Sequence, residues 1–506
     1  MRTKNKTALA GALAVWVLLA GGFAVSAQGE EALDSEITSA INTEMWIDDA
    51  VNANNIDVST QDGIVTLTGA VDNLLAKDRA EAMAAATVGV RAIINRIKVE
   101  HVQMRSNKEL KQAVKEALMR DPATESYDVD VAVDDGNVTL TGSADSYAEK
   151  ELAASVAKGI QGVKSITNNI IVDYDIKRTD TEIKNEIEKR LENDVRVDDY
   201  MLNVEVDDGE VELSGTAGSL QEKNQAIDNA WVAGVTVVEA DGIKVKSWAR
   251  DKMRRTRKYG TMTDEQIEEA VNDAFVYDPR LVSFKVDVQA DDGTVTLNGK
   301  VDNLTAKKAA EKDARNTHGV WRVKNHIKVR PETPENEELE DRVTNALVQN
   351  PYTESYQIAV ESRQGWVYLS GNVNTSFEKN EAERVAEKTK GVVGVVNNLD
   401  FDHQWIWKPD REIRSDVRDQ LEWSPFVNED NIAITVHEGL VTLSGTVDSW
   451  SAREDAEKNA YQGGAKDVKN NLAVDYPQYG PYGPGYYGSP AFHGPGYYGP
   501  EYEPYE

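Results

Sequence analysis

The sequence predicts an α+β protein of six tandem αββαβ domains, each a small three-stranded sheet with two helices, followed by a disordered C-terminal tail. Three observations predict it. One short string returns six times at nearly constant spacing. Around every copy the apolar period switches from helical to strand-like and back. After the last copy the composition turns abruptly to Tyr, Gly and Pro.

The string reads Asp62-Gly63-Ile64-Val65-Thr66-Leu67-Thr68-Gly69 in the first copy and Asp135-Gly136-Asn137-Val138-Thr139-Leu140-Thr141-Gly142 in the second. It continues as Asp208-Gly209-Glu210-Val211-Glu212-Leu213-Ser214-Gly215 and Asp292-Gly293-Thr294-Val295-Thr296-Leu297-Asn298-Gly299. The last two are Gln364-Gly365-Trp366-Val367-Tyr368-Leu369-Ser370-Gly371 and Glu438-Gly439-Leu440-Val441-Thr442-Leu443-Ser444-Gly445. The leading glycines, at 63, 136, 209, 293, 365 and 439, are 73, 73, 84, 72 and 74 residues apart. Solenoid repeats run about 20 to 50 residues, whereas a segment of this length can bury a core of its own.

Each copy opens with a helix. In the second, Leu110, Val114, Ala117 and Leu118 form one apolar stripe, and Ser106 with Glu109 makes a capping box that Thr179 with Glu182 and Thr263 with Gln266 repeat. An alternating strand follows, such as Val129, Val131, Val133 or Phe284, Val286, Val288. Asp-Gly then predicts a two-residue hairpin turn, because both central residues need positive φ. The return strand carries Val138 and Leu140 inward, and Gly142 is expected to mark where the chain leaves the sheet. A second helix spans Ala148 to Ala157 in the second copy and Leu304 to Ala314 in the fourth. Each copy closes on a Gly-Val and Asn motif: Gly162-Val163, Ile166, Asn168-Asn169-Ile170, with counterparts at Gly89-Val90, Gly319-Val320 and Gly391-Val392. The sixth copy relaxes it to Gly464-Ala465, and the third keeps Gly234-Val235 but has Ala240-Asp241 where Asn is expected.

The expected domains are 31–101, 106–174, 178–248, 262–330, 336–402 and 409–475, with a basic linker at 249–261 and a tail at 477–506. Short linkers elsewhere predict two semi-rigid groups of three domains, hinged at 249–261. Residues 1–27 read as a signal peptide: Arg2, Lys4 and Lys6, an apolar run, then Val25-Ser26-Ala27. A retained membrane anchor is the competing reading.

The combination of (D/N)-G-x-V-x-L-x-G at the hairpin and G-V-x-x-V-x-N-x-(I/L) before the last strand resembles the BON domain, named for osmotically induced and nodulation proteins of bacteria. The resemblance runs through residues 31 to 475. It implies an αββαβ fold, residence in the periplasm or at the outer membrane, and no catalysis. It also implies binding to phospholipid surfaces, or protection of envelope proteins under osmotic stress.

Composition narrows the partners. Lys and Arg total 56 against 87 Asp and Glu, a net charge of −31. Such a chain is repelled by nucleic acid and by anionic lipid at large, so membrane contact has to be local. With no Cys, disulfides, thiolate metal sites and a lipoprotein anchor are excluded. His101, His318, His326, His403, His437 and His493 fall at non-equivalent places in the copies, so no catalytic, cofactor or metal residue is assigned. The acid pairs Asp134-Asp135, Asp207-Asp208 and Asp291-Asp292 read as turn chemistry, since the other turns lack them.

Two linkers supply candidate contacts. Arg250, Lys252, Arg254, Arg255, Arg257 and Lys258 form a basic run that suits an anionic headgroup or an acidic neighbouring domain. Trp405 and Trp407 suit interdomain packing or the headgroup zone. Trp46 and Trp423, at the ends of their first helices, are expected to pack in a core or dock domains. The favoured function is a non-enzymatic periplasmic protein with multivalent binding to phospholipid surfaces. A soluble chaperone for envelope proteins, and a spacer or adhesive scaffold acting through the Tyr-rich tail, are the alternatives.

Overall fold

The computed structural model describes residues 32–48, 50–51, 55–100, 105–124, 127–174, 178–250, 262–281, 283–332, 334–354, 356–401, 408–424 and 426–474. The expected signal peptide and the tail at 477–506 lie outside them. No described helix is long and apolar enough to cross a membrane.

The αββαβ order recurs six times. In the second domain it runs through a helix at Asn107–Arg120, a hairpin of Asp128–Asp134 and Asn137–Ala144, a helix at Tyr147–Lys158 and a last strand at Ser165–Val172. The return strand is central, antiparallel to the first strand and parallel to the last. Both helices cover one face, where Leu110, Val114, Leu118, Val138, Leu140, Ala153, Ala157 and Ile170 form the core. The other face is polar, so each strand alternates. The three capping boxes fall at Ser106, Thr179 and Thr263, as the sequence predicts.

The hairpin turns have positive φ at both central residues: 47° at Asp135 and 81° at Gly136, and 53° at Gln364 and 84° at Gly365. Their N–H groups point back at the first helix. Asp34 accepts from Asp62 and Gly63, both at 2.8 Å, and Asp180, Asp264 and Asp410 do the same in their domains. Asn107 and Asn336 each take one such bond. One clamp thus holds the turn to the start of the first helix in all six copies.

The closing glycine does not end the strand. Gly142 lies within it, opposite Val129 and Ile170, and the strand continues to Ala144. Its φ is +130°, and a Cβ there would sit 2.0 Å from the Asp128 carbonyl oxygen. The glycine serves close approach across the hairpin.

The motif Asn is a staple. Asn168 donates from Nδ2 to the Lys150 carbonyl (2.8 Å) and accepts from the Ile170 N–H (3.4 Å), tying the second helix to the last strand. Asn95, Asn325, Asn397 and Asn470 repeat both bonds. The third domain, which lacks this Asn, shows a register shift between Glu239 and Gly242, and Lys223 reaches the Ile243 carbonyl instead (3.4 Å).

The two-group arrangement expected from the linkers is not what forms. The chain folds back on itself, and the first and sixth domains touch: Gln462 Nε2 donates to Glu44 Oε1 at 2.6 Å. The cause lies at the helix ends. The last residue of a helix has a carbonyl with no partner in the next turn. Here it accepts the N–H of the residue just before the Gly-Val motif of another domain. Val88 donates to Trp423 (3.3 Å), Gln161 to Gln349 (2.8 Å), His318 to Asn193 (2.8 Å) and Lys390 to Arg120 (3.2 Å). Domain 1 therefore pairs with 6, 2 with 5 and 3 with 4, and the 2–5 pair carries the bond in both directions. The cores also merge. Domains 4 and 5 share one apolar cluster, while Leu220 of domain 3 and Trp423 of domain 6 pack on the core of domain 1.

Candidate functional site

Of the linker residues singled out in the sequence, Arg250 alone lies within the described region; Lys252, Arg254, Arg255, Arg257, Lys258, Trp405 and Trp407 lie outside it. Arg250 ends a short 3-10 turn, Ser247–Arg250, that closes domain 3. Its guanidinium approaches the Glu422 and Val427 carbonyls of domain 6, both at 3.5 Å. The start of the basic run thus faces a neighbouring domain.

The two helix-end tryptophans part company. Trp423 is partly buried against the core of domain 1, which is the docking role expected of it. Trp46 is 63 % exposed and corrects that expectation for domain 1. It is not isolated. Met119 (58 %), Val276 (61 %) and Val348 (51 %) are exposed in the same register, each seventeen residues before its turn glycine (46 to 63, 119 to 136, 276 to 293, 348 to 365). Domains 3 and 6 carry Glu192 and Glu422 there, both exposed. A lone exposed apolar side chain is ordinary. The same position left apolar and uncovered in four copies is a repeated surface feature. The signal lies in the register of the repeats, not in residue type: each of these side chains stands at the same distance before its turn glycine.

The seams between domains hold most of the unusual electrostatics. Burial, then the nearby Asp48 carboxylate, push the Glu44 carboxyl up to about 8 at the 1–6 seam. Asp48 itself pairs with Arg79 (2.5 Å), whose guanidinium also lies 4.7 Å over the Phe377 ring of domain 5. Tyr147 of domain 2 stacks on Trp231 of domain 3, with ring centres 3.8 Å apart and 5° between planes. Lys189 of domain 3 bridges Glu269 (2.7 Å) and Asp273 (2.6 Å) of domain 4. Nearby, burial and the adjacent Asp278 raise Asp313 well above the carboxylate range. Burial opposes ionisation of Asp278 too, yet Arg280 holds it below its usual value. The Arg79–Phe377, Tyr147–Trp231 and Lys189 contacts join different domains, whereas Asp278, Arg280 and Asp313 all belong to domain 4. Among the described residues no group of three or more His, Cys, Asp or Glu is placed to hold a metal ion.

The repeated polar residues are accounted for by the fold: the first-helix Asp or Asn by the turn clamp, and the motif Asn by the staple. What distinguishes this framework is its number of copies and its shared glycines. The BON domain profile matches residues 33–101, 106–174, 179–247, 263–331, 335–402 and 409–476. The chain belongs to the BON domain family. Among curated relatives, osmotically-inducible protein Y of Escherichia coli (strain K12) is 30 % identical over 143 residues, covering 27 % of this chain and 71 % of that protein. Outer membrane lipoprotein DolP of Haemophilus influenzae is 28 % identical over 141 residues, again 27 % of this chain and 71 % of that protein. Each match is about two repeats long, so this chain carries the BON unit in three times that number. A solved structure of CdsD, a structural protein of the Type III secretion system of Chlamydia trachomatis, matches at 17 % identity and a TM-score of 0.13. It covers 46 % of this chain and 96 % of that one, and a likeness that weak carries no argument.

Proposed function

We propose that this BON-domain protein is a non-enzymatic component of the bacterial envelope that binds phospholipid surfaces through many weak contacts. The observation that carries the reading is the exposed apolar position repeated as Trp46, Met119, Val276 and Val348. A protein of net charge −31 is not held to an anionic leaflet by general attraction. It needs discrete points where an apolar side chain enters the headgroup layer, or where cations gather. The repeated position supplies the first kind, and Arg254 and Arg255 with Trp405 and Trp407 are candidates for the second. Six joined domains then gain by avidity what each lacks alone. The names of the two curated relatives, osmotically inducible in one case and an outer membrane lipoprotein in the other, support periplasmic or outer-membrane residence and a role in osmotic or envelope stress.

The test is co-sedimentation of residues 28–506 with neutral and with anionic vesicles at physiological salt. The W46S/M119S/V276S/V348S variant is expected to lose at least tenfold in apparent affinity with its unfolding profile unchanged. Neutralising Arg254 and Arg255 should weaken binding to anionic vesicles more than to neutral ones. An unmodified protein that stays in the supernatant with both vesicle types defeats the reading and turns attention to suppression of client aggregation.

A further inference from the structure

The seam between domains 2 and 5 holds a pocket of about 140 Å³ that is partly open to solvent. It lies beside the two reciprocal backbone bonds, Gln161 to Gln349 and Lys390 to Arg120, so both partners build its walls. The inner wall is apolar, with Val156 and Ile160 from domain 2 and Val385 from domain 5. Three cations also line it: Arg120 from domain 2, and Arg384 and Lys388 from domain 5.

Of these cations only Arg384 is ion-paired among the described residues. Arg384 pairs with Glu381 through Nε at 2.7 Å. Arg120 spends its guanidinium on neutral oxygens, the Glu116 carbonyl (3.1 Å) and Gln349 Oε1 (2.7 Å). The Lys388 ammonium forms no ion pair or hydrogen bond among the described residues, although Asp121 and Glu381 lie near enough to act on its charge. Arg120, Arg384 and Lys388 line the pocket together with one acid, Asp121, within a chain of net charge −31. Lys388 is half-buried, and burial, then the adjacent Arg384, push its ammonium down to about 8. The space is roomy for solvent, since one water needs only about 10–15 Å³ of such volume.

We propose that this cavity binds a small phosphate-type oxyanion, held by Lys388 and Arg120 from opposite sides of the seam and bridging domains 2 and 5. The ligand chemistry follows from the donors. Lysine offers a point charge and arginine a planar fork, a pair suited to tetrahedral oxyanions. The volume admits a phosphate group but not acyl chains, so any lipid would enter by its headgroup alone. The bound anion would reinforce the fold-back of the chain, which makes the closed particle responsive to oxyanion concentration.

The experiment follows thermal unfolding of the full chain while inorganic phosphate is titrated against chloride at matched ionic strength. The wild-type midpoint is expected to rise with phosphate and saturate, as binding to the folded state requires. K388M should be at least as stable as wild type without phosphate, because it removes a half-buried charge that has no ion pair among the described residues. It should weaken the apparent phosphate affinity at least tenfold, while K388R retains the response. Phosphatidylglycerol vesicles form a second arm. A Lys388-dependent shift with vesicles and none with free phosphate assigns the site to a headgroup, and the reverse assigns it to a free anion. Absence of any shift in both arms, or equal shifts in wild type and K388M, overturns the proposal.

Discussion

Glu44 should make the closed particle weaken as pH rises. It is buried where domains 1 and 6 meet, accepts from Gln462 Nε2 at 2.6 Å, and has a carboxyl shifted from 4.5 to about 8 by burial and by Asp48. A carboxyl with a raised pKa binds its proton more tightly when folded than when unfolded. Its contribution is therefore fully present below pH 4.5 and is lost as pH climbs to about 8. At about 1.4 kcal/mol per pH unit, the loss is about 3 kcal/mol at pH 7 and about 4 kcal/mol at pH 8. Replacing Glu44 with Gln keeps a neutral acceptor for Gln462 and removes the titration. The variant should match wild type near pH 4.5 and exceed it by about 1–3 kcal/mol at pH 7, with a wider gap at pH 8. Urea unfolding across that range measures the difference. Parallel stability curves for the two proteins would refute the reasoning.

Further outcomes follow from the seams and the staples. Trp423→Ala should loosen the 1–6 pair by about 2 kcal/mol, less than a fully buried tryptophan would cost, with proteolysis between the paired domains as the readout. Asn325→Ala removes donations to the Lys307 carbonyl (3.0 Å) and Glu311 (3.1 Å), and an acceptor for Ile327 N–H (3.1 Å). It should cost about 1–3 kcal/mol, seen as faster amide exchange in the last strand of domain 4. Asp34→Ala leaves the Asp62 and Gly63 N–H groups without their acceptor and should destabilise domain 1 by about 1–2 kcal/mol in thermal unfolding.

The αββαβ order was legible because each element left its own periodic mark. Leu110, Val114 and Leu118 wrote one helix face, and Asp135-Gly136 wrote a turn that only one backbone geometry satisfies. The role of Gly142 is not legible, because a glycine at a strand end and a glycine under a cross-strand carbonyl look alike in sequence. The clamp from Asp34 to Gly63 joins residues 29 apart, so no local pattern announces it. The fold-back was least accessible. It rests on backbone bonds such as Gln161 to Gln349, which use groups every residue possesses, and on apolar seams whose members look like ordinary core residues. Even so, the exposed register of Trp46, Met119, Val276 and Val348 could have been found by aligning the six copies column by column.

Six BON domains on one chain close into a single particle by pairing 1 with 6, 2 with 5 and 3 with 4. Small-angle scattering on residues 32–474 tests it directly. A compact chain of that length has a radius of gyration of about 22 Å. Two separate halves of about 17 Å, with centres about 50 Å apart, would give roughly 30 Å. The closed particle predicts the smaller value with a single-peaked distance distribution. The larger value with a second maximum would contradict it.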